Sequence, residues 1–193
     1  MTTANEIHVP VGMPVEIGLR SADVIHSFWV PQLHGKVDVV PGQENRIRIL
    51  ATKAGRYRGE CAEFCGEQHA HMVLYVVADP PEQFYRWVAD QRAAAPEPQT
   101  AEQRRGRDVF ETKACVVCHT IRGTRANATV GPDLTHLASR ATIASGSYPN
   151  NAGYLSAWVT HAQSLKPGAA MPDLTVFSGD ELRSLVAYLE SLK

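Results

Sequence analysis

The chain has 193 residues, a formal net charge of −1, 44% apolar residues and 20% charged residues. This length allows one large domain or two small ones, and the composition is that of a globular protein, which excludes disorder throughout. Neither half of the chain is strongly basic, so we expect no nucleic-acid partner.

The longest uninterrupted apolar run, MVLYVVA at residues 72–78, is far shorter than the roughly 20 residues of a membrane-spanning helix. The N-terminus, MTTANEIHVP, also lacks the basic segment and apolar stretch of a signal peptide. We therefore expect a soluble chain from which any export signal has been removed or replaced.

Residues 1 to about 79 have the two-residue period of strands. The apolar positions that alternate with polar neighbours are Val15, Ile17 and Leu19, followed by Ile47 and Ile49. The run at 72–78 predicts a buried strand, and PGQEN (41–45) and KAGRY (53–57) predict turns. Short strands at this spacing predict an antiparallel sandwich or barrel.

A short helix at about 80–92 closes this first domain, since Phe84, Trp87 and Val88 fall on one helical face behind two prolines. The next segment, AAAPEPQT at 93–100, is rich in Ala and Pro and predicts a flexible or semi-extended linker. The predicted domains are therefore 1–92 and 101–193.

Residues 101–193 have a helical period. A first helix is predicted over 102–114, with Gly106 and Phe110 one turn apart, and a last helix follows a capping box of Ser178 and Glu181. The middle contains the helix breakers GPDL, SGSYPNNAG and KPGAAMPDL. So much loop in a small helical domain suggests that something other than protein completes its core.

The motif CVVCH at 115–119 indicates what that is. Cys115 and Cys118 can each form a thioether to a haem vinyl group, and His119 then lies where it can bind the iron. Three residues are candidates for the opposite axial position: Met171, in a loop bounded by Pro and Gly, and the histidines His136 and His161. We favour Met171, because a Met/His pair raises the reduction potential and suits electron transfer.

A second cluster, CAEFCGEQHAHM at 61–72, contains two cysteines, two histidines and a methionine. A structural zinc would leave Met72 unused, and a disulfide would use the cysteines alone. A thioether beside thiolates and imidazoles favours copper. A mononuclear blue-copper site uses one thiolate, whereas Cys61 and Cys65 supply two, which can bridge two ions.

Each copper ion then needs an imidazole and a weak further ligand. His69 is the near imidazole, and His26, in DVIHSFWVP, is the distant one. Met72 completes one ion and the backbone carbonyl of Glu63 completes the other.

Two stretches, DVIHSFWVPQLHGKVDVVPG and GECAEFCGEQHAHM, together resemble the copper-A domain of cytochrome c oxidase subunit II. The domain with CVVCH resembles the cytochrome c extension of caa3-type oxidases. The resemblance implies an all-β, cupredoxin-like Greek-key sandwich followed by an all-α, class I cytochrome c domain. It implies a dinuclear copper centre held by His26, Cys61, Glu63, Cys65, His69 and Met72, and a c-type haem held by Cys115, Cys118, His119 and Met171.

The same resemblance implies an electron-transfer subunit of a haem–copper oxidase on the periplasmic or outer face of the cytoplasmic membrane. Electrons would pass from a donor such as cytochrome c to the haem, then to copper, then to the catalytic subunit I, where oxygen is reduced. Glu63 would bind magnesium at the contact with that subunit. The alternative is a free-standing soluble carrier that never joins an oxidase.

This sequence also departs from the family. Members usually begin with two membrane helices and a Trp-rich strand, which precede the segment that starts here at TANEIHVPVG. We therefore expect either a soluble fragment with an added Met1 or a shortened relative, attached to the membrane through those helices or through partner subunits.

Other residues near the motifs are predicted to be bystanders. His71, two residues beyond His69 on an extended chain, would point to the other face, and His8 and His34 are predicted at the surface. Phe28 and Trp29 are predicted to pack in the core.

Overall fold

The computed structural model describes residues 1–193 and divides them into two compact units. One unit is Asn5–Asp90, and the other comprises Met1–Ala4 and Gln91–Lys193. The first is made of strands and the second mainly of helices, as the change of sequence period predicted. None of the helices combines the length and the apolar character that crossing a membrane requires.

The first unit contains seven strands in two sheets that share one core. The strands are β1 (Glu6–Pro10), β2 (Val15–Leu19), β3 (His26–Trp29), β4 (Val37–Val39), β5 (Asn45–Ile49), β6 (Gly55–Cys61) and β7 (Val73–Asp79). The larger sheet has the order β1-β7-β6-β3-β4, and β2 pairs with β5 in the smaller one. The alternation predicted at β2 and β5 and the buried strand predicted at β7 are confirmed.

The prediction of a purely antiparallel arrangement is wrong at one edge. β1 pairs with β7 in parallel, with Glu6 opposite Tyr75 and Pro10 opposite Asp79, while the other strand pairs are antiparallel. Parallel neighbours need a long connection, and here five strands lie between the two in sequence. Val9 of β1 and Val76 of β7 are both fully buried, which holds this edge onto the core.

The prediction of a turn at KAGRY is only partly correct, because β6 begins inside it at Gly55. β6 carries charged residues on its exposed side and has few apolar ones, so its period is hard to recognise. Its inward position Gly59 has no room for a side chain: an added Cβ would lie 2.8 Å from Val30 Cγ2 and 2.9 Å from the Trp29 carbonyl oxygen. Atoms of the neighbouring strands therefore fill the space that an apolar side chain would occupy at this position.

Helix α1 (Pro81–Arg92) follows β7 directly, as predicted, with Phe84, Trp87 and Val88 on its partly buried face. His8, predicted at the surface, is in fact part of the packing under this helix. Its ring stacks on Trp87 with 3.9 Å between ring centroids, and its Nδ1 lies 2.6 Å from Asp79 Oδ2. Trp87 is far from His8 in sequence, so the sequence pattern did not reveal the pair.

The second unit is built on the crossing of two helices, α2 (Ala101–Thr112) and α5 (Gly179–Leu189). Both begin with complete capping boxes, confirming the one predicted at Ser178 and Glu181. Gly106 permits the crossing, because a Cβ there would lie 1.9 Å from the Ser184 carbonyl oxygen. Phe110, one turn later, is buried against Tyr188.

The loop-rich middle of this unit contains more structure than predicted. Besides the small hairpin of β8 (Thr142–Ile143) and β9 (Tyr148–Pro149), it forms α3 (Ala152–Thr160) and the single-turn α4 (Ala162–Leu165). Asn151, read as part of a breaker, caps α3 by accepting from the Tyr154 backbone N–H. An Asn before an apolar run is a helix start signal as well as a turn signal.

The segment at 93–100, predicted as a flexible or semi-extended linker, has no helix or strand over 94–99 and is hydrogen-bonded to the rest of the second unit. His136 Nε2 donates to the Ala93 carbonyl at 3.1 Å, and the Ala95 N–H donates to the Arg122 carbonyl at 2.9 Å. Glu97 pairs with Arg107 at 2.7 Å. Backbone groups of this segment thus form hydrogen bonds with residues that are distant in sequence.

Candidate metal centres

The predicted copper ligands come from the ends of neighbouring strands in the larger sheet. β6 ends at Cys61, and the loop after it carries Glu63 and Cys65 into a 3-10 turn, His69–His71, followed by Met72 and β7. β3 begins at His26 and pairs with β6 so that Phe28 lies opposite Cys61. This pairing brings the distant histidine to the cysteine loop.

The six ligand atoms form one continuous series of contacts with the two sulfurs at its centre. Cys61 Sγ lies 3.7 Å from Cys65 Sγ, and neither cysteine is in a disulfide. On one side, Cys61 Sγ is 3.8 Å from His26 Nδ1 and 3.2 Å from the Glu63 carbonyl oxygen. On the other, Cys65 Sγ is 3.7 Å from His69 Nδ1 and 3.8 Å from Met72 Sδ.

These separations fit the predicted role of the six groups as ligands of shared metal ions. Two ligands of one tetrahedral ion lie about 3.7 Å apart when metal–sulfur bonds are about 2.3 Å long. A covalent disulfide would bring its sulfurs to about 2.05 Å, far closer than Cys61 and Cys65. The donor set of two thiolates, two imidazoles, a thioether and a carbonyl therefore fits copper in geometry and in softness.

The carboxylate of Asp23, which was not among the residues predicted from the sequence, orients His26. Asp23 Oδ1 accepts a hydrogen bond from His26 Nε2 at 2.9 Å, so the proton lies on Nε2 and Nδ1 faces Cys61. The hydrogen bond to His26 lowers the pKa of Asp23 to about 2. Burial opposes charging of His26, but its bonds to Asp23 and Cys61 raise its pKa overall. The spacing Asp-x-x-His was the available signal.

The two thiols differ in acidity although they share a site. Burial favours the protonated form of Cys61, but hydrogen bonds from the backbone at Ser27 and Glu63 and from His26 outweigh it and lower its pKa. Burial and the neighbouring Cys61 raise the pKa of Cys65. A metal ion that binds both sulfurs must therefore displace the Cys65 proton.

Residues near the motifs that were predicted not to be ligands lie outside the series of contacts. His71 is exposed at the end of the 3-10 turn, so the extended chain assumed in predicting its direction is wrong. His34 is exposed, with Nδ1 2.9 Å from the Gly35 carbonyl. Phe28 is buried, as predicted, and Trp29 is half-buried.

In the second unit, the CVVCH motif forms a tight turn, with a 3-10 helix over Ala114–Val117. The His119 N–H donates to the Cys115 carbonyl at 3.0 Å, which places the histidine directly after the two thiols. Neither Cys115 nor Cys118 is in a disulfide. Both sulfurs are therefore available for thioether bonds.

His119 is held as a neutral imidazole with one nitrogen free. Its Nδ1 donates to the Pro132 carbonyl at 2.8 Å, which leaves the Nε2 lone pair for a metal. Burial lowers the pKa of His119, and the charge of Arg140 acts in the same direction. Gly131 lies against the ring: a Cβ there would be 2.6 Å from His119 Cε1. The dipeptide Gly131–Pro132, read only as a breaker, thus positions the ligand.

The three candidates for the opposite axial position have different surroundings. Met171 is half-buried and packs against the core of the second unit. His136 is buried and uses Nε2 to bond the Ala93 carbonyl. His161 is exposed, with Nδ1 2.7 Å from Thr160 Oγ1. His136 Nδ1 is buried without a hydrogen-bond partner, so hydrogen bonding does not separate the three candidates, and the preference for Met171 remains that of the sequence.

Exposed valines adjoin the predicted haem residues. Val117 lies between the two cysteines, Val130 precedes Gly131, and Val176 follows Met171; they are 64%, 81% and 61% exposed. The three valines are neighbours of the predicted haem residues in sequence, and their exposed side chains can contact a group bound there. With the free thiols and the free Nε2 of His119, they fit a covalently attached haem.

The comparisons with known proteins divide at the same place as the structure. Residues 1–79 match the family model described as cytochrome c oxidase subunit II, periplasmic domain, and residues 103–193 match the model described as cytochrome c. The first match implies copper-A and an extracellular or periplasmic face, and the second implies haem.

Individual relatives match along the whole chain. Cytochrome c oxidase subunit 2 of Alkalihalophilus pseudofirmus is 40% identical over 192 residues, which cover 100% of this chain and 55% of that protein. The Bacillus subtilis protein of the same name is 30% identical over 201 residues, covering 99% and 56%. The chain thus spans about half the length of these relatives.

Among solved structures, the periplasmic domain of subunit II of cytochrome oxidase from Bradyrhizobium japonicum is 36% identical, covering 45% of this chain and 62% of that one, with a TM-score of 0.43.

Proposed function

We propose that this chain is the electron-transfer part of a haem–copper oxidase, because residues 1–79 match the family model of cytochrome c oxidase subunit II periplasmic domains and residues 103–193 match that of cytochrome c. The matches confirm the predicted resemblance and the two predicted fold classes. The observation that carries the proposal is the contact series from His26 through both cysteines to Met72.

We propose a dinuclear copper centre in the first domain. One four-coordinate ion cannot use six ligand atoms, whereas two ions that share Cys61 and Cys65 use all of them. Each sulfur has an imidazole and one weak donor beside it: His26 and the Glu63 carbonyl beside Cys61, His69 and Met72 beside Cys65. This symmetry supports two ions over one.

In the second domain, Cys115 and Cys118 would attach the haem, and His119 and Met171 would bind its iron. A haem bound in this way supplies one-electron transfer at a raised reduction potential. Pro132 and Gly131 orient His119. The exposed valines next to the motif residues in sequence would supply apolar contacts to the haem.

The partners in this proposal are an electron donor to the haem, such as cytochrome c, and a catalytic oxidase subunit that accepts electrons from copper and reduces oxygen. The exposed carboxylate of Glu63 would bind magnesium at the contact with that subunit. Attachment to the membrane would come from segments outside this chain or from partner subunits.

Metal analysis combined with intramolecular kinetics tests the proposal. The loaded chain should hold two copper ions and one covalent haem, and one copper ion per fully loaded chain would contradict the dinuclear assignment. After flash reduction of the haem, copper should be reduced at a rate independent of protein concentration and weakly dependent on salt, since the net charge is only −1. Binding to an oxidase core separates this function from that of a free-standing carrier.

A further inference from the structure

The loop that carries Met171 lies partly exposed on the second unit. It connects α4 to α5 through residues 166–178, where the structure has no helix or strand. Pro167, Gly168, Pro172 and Asp173 are all exposed. Apolar contact with the core is made by Met171 and Phe177, while the backbone on either side of Met171 is exposed and depends on hydrogen bonds for its position.

A single side chain, that of Gln163 in α4, makes three hydrogen bonds to this loop. Its Nε2 donates to the Met171 carbonyl at 2.6 Å and to the Ala169 carbonyl at 2.7 Å. Its Oε1 accepts from the Gly168 N–H at 3.2 Å. The Gln163 backbone N–H also donates to Asp173 Oδ1 at 2.8 Å, so the loop is tied to α4 on both sides of Met171.

Only a primary amide satisfies this arrangement. Two loop carbonyls need donors and one loop N–H needs an acceptor, which is the full donor set and one acceptor site of glutamine. A carboxylate would place an oxygen against two carbonyl oxygens. An apolar side chain would leave all three backbone groups without this partner, and water would have to replace it.

We propose that Gln163 is a positioning residue for the axial ligand, holding the backbone of Met171 so that its thioether is presented to the haem iron. This inference rests on the proposed function in that it takes Met171 as the ligand. A thioether is a weak ligand, so a loop ordered in advance determines whether it stays bound or yields to a competing ligand.

Competition by an added ligand tests the proposal in the full-length protein with haem attached. Imidazole is titrated against the ferric haem of the unchanged chain, Gln163→Leu and Gln163→Glu, and the methionine–iron charge-transfer band and haem reduction potential are recorded. Both variants should bind imidazole at least about tenfold more tightly, with a weaker band and a lower potential. Gln163→Glu keeps the volume and the acceptor oxygen but adds a negative charge that lowers the potential by itself, so imidazole affinity is the deciding readout for this variant and the neutral Gln163→Leu controls for the charge.

The matched control is Gln103→Leu, which removes a glutamine that bonds the backbone N–H groups of Gln99 and Thr100 at the start of α2. It should leave imidazole affinity unchanged. Unchanged affinity in both Gln163 variants, an equal gain in the control, or a gain that accompanies loss of helical circular dichroism would overturn the positioning role. The thioether bonds keep the haem attached, so the spectrum remains readable in each variant.

Met171→Leu separates this inference from the ligand assignment. Loss of the charge-transfer band in Met171→Leu supports the proposed ligand whatever the Gln163 variants show. An unchanged band would refute the ligand assignment and, with it, the role given to Gln163.

Discussion

The two candidate metal centres differ in how much of each one the polypeptide builds. In the strand domain all six predicted copper ligands already lie in contact, held by β3, β6 and a short loop. In the helical domain a hydrogen bond orients His119, and Met171, the proposed second iron ligand, lies on a loop bonded to Gln163. The predicted copper ligands are thus positioned by paired strands, whereas the second proposed haem ligand is positioned by one loop.

The largest expected effect follows from removing the haem anchors. The double substitution Cys115→Ser and Cys118→Ser should abolish covalent haem attachment, because a serine oxygen cannot replace the thioether sulfur. The strand domain should retain two copper ions, since its ligands belong to a separate unit. Intact-protein mass and copper content measure the two outcomes. Loss of copper in this variant would show that the sites are not independent.

The second effect is confined to the other domain. Cys61→Ser or Cys65→Ser should eliminate the mixed-valence copper spectrum, since two ions cannot share a bridge that has lost one sulfur, while the haem spectrum stays unchanged. His71→Ala is the control, because His71 is exposed beside the same loop. If His71→Ala destroyed the copper site and His69→Ala spared it, the ligand assignment of the loop would be wrong.

A smaller effect concerns stability and should distinguish the two domains by their unfolding. Gly106→Ala places a Cβ 1.9 Å from the Ser184 carbonyl oxygen and should destabilise the helical domain by about 1–3 kcal/mol. Gly179→Ala, where a Cβ meets nothing within 4 Å, is the matched control. Urea unfolding is followed with the haem absorbance and the copper absorbance, which report the stability of the helical domain and of the strand domain separately. An equal loss at both probes would mean that the domains unfold together.

The smallest effect is expected at the edge of the copper site. Met72→Leu should keep both copper ions and shift the reduction potential, because the thioether is a weak ligand at the end of the contact series. Copper content and potentiometry check this. A variant that lost one copper ion would make Met72 as necessary as the cysteines.

Patterns within one segment of the sequence were the most predictable. The capping box of Ser178 and Glu181 and the alternation in β2 and β5 depend on residues close together in the chain, and so does the proposed ligand set in the loop from Cys61 to Met72. The haem-attachment motif is of the same kind.

Features that depend on distant partners were missed or only partly predicted. β6 went unrecognised because Gly59 lacks a side chain where Val30 and Leu74 approach, which leaves no apolar alternation to detect. The stacking of His8 on Trp87 joins a strand to a helix far along the chain. Similarly, the role of Pro132 behind His119 follows from a hydrogen bond that only the folded chain makes.

The bonded segment between α1 and α2 determines where the chain can be cut to isolate a haem domain. A fragment beginning at Thr100 would remove the carbonyl that His136 bonds at Ala93, the Arg92 carbonyl that Arg122 bonds at 3.2 Å, and the buried ring of Pro98. A fragment beginning before Gln91, within α1, keeps them all. The Ala- and Pro-rich stretch is thus a structural part of the haem domain. An isolated haem domain must include it.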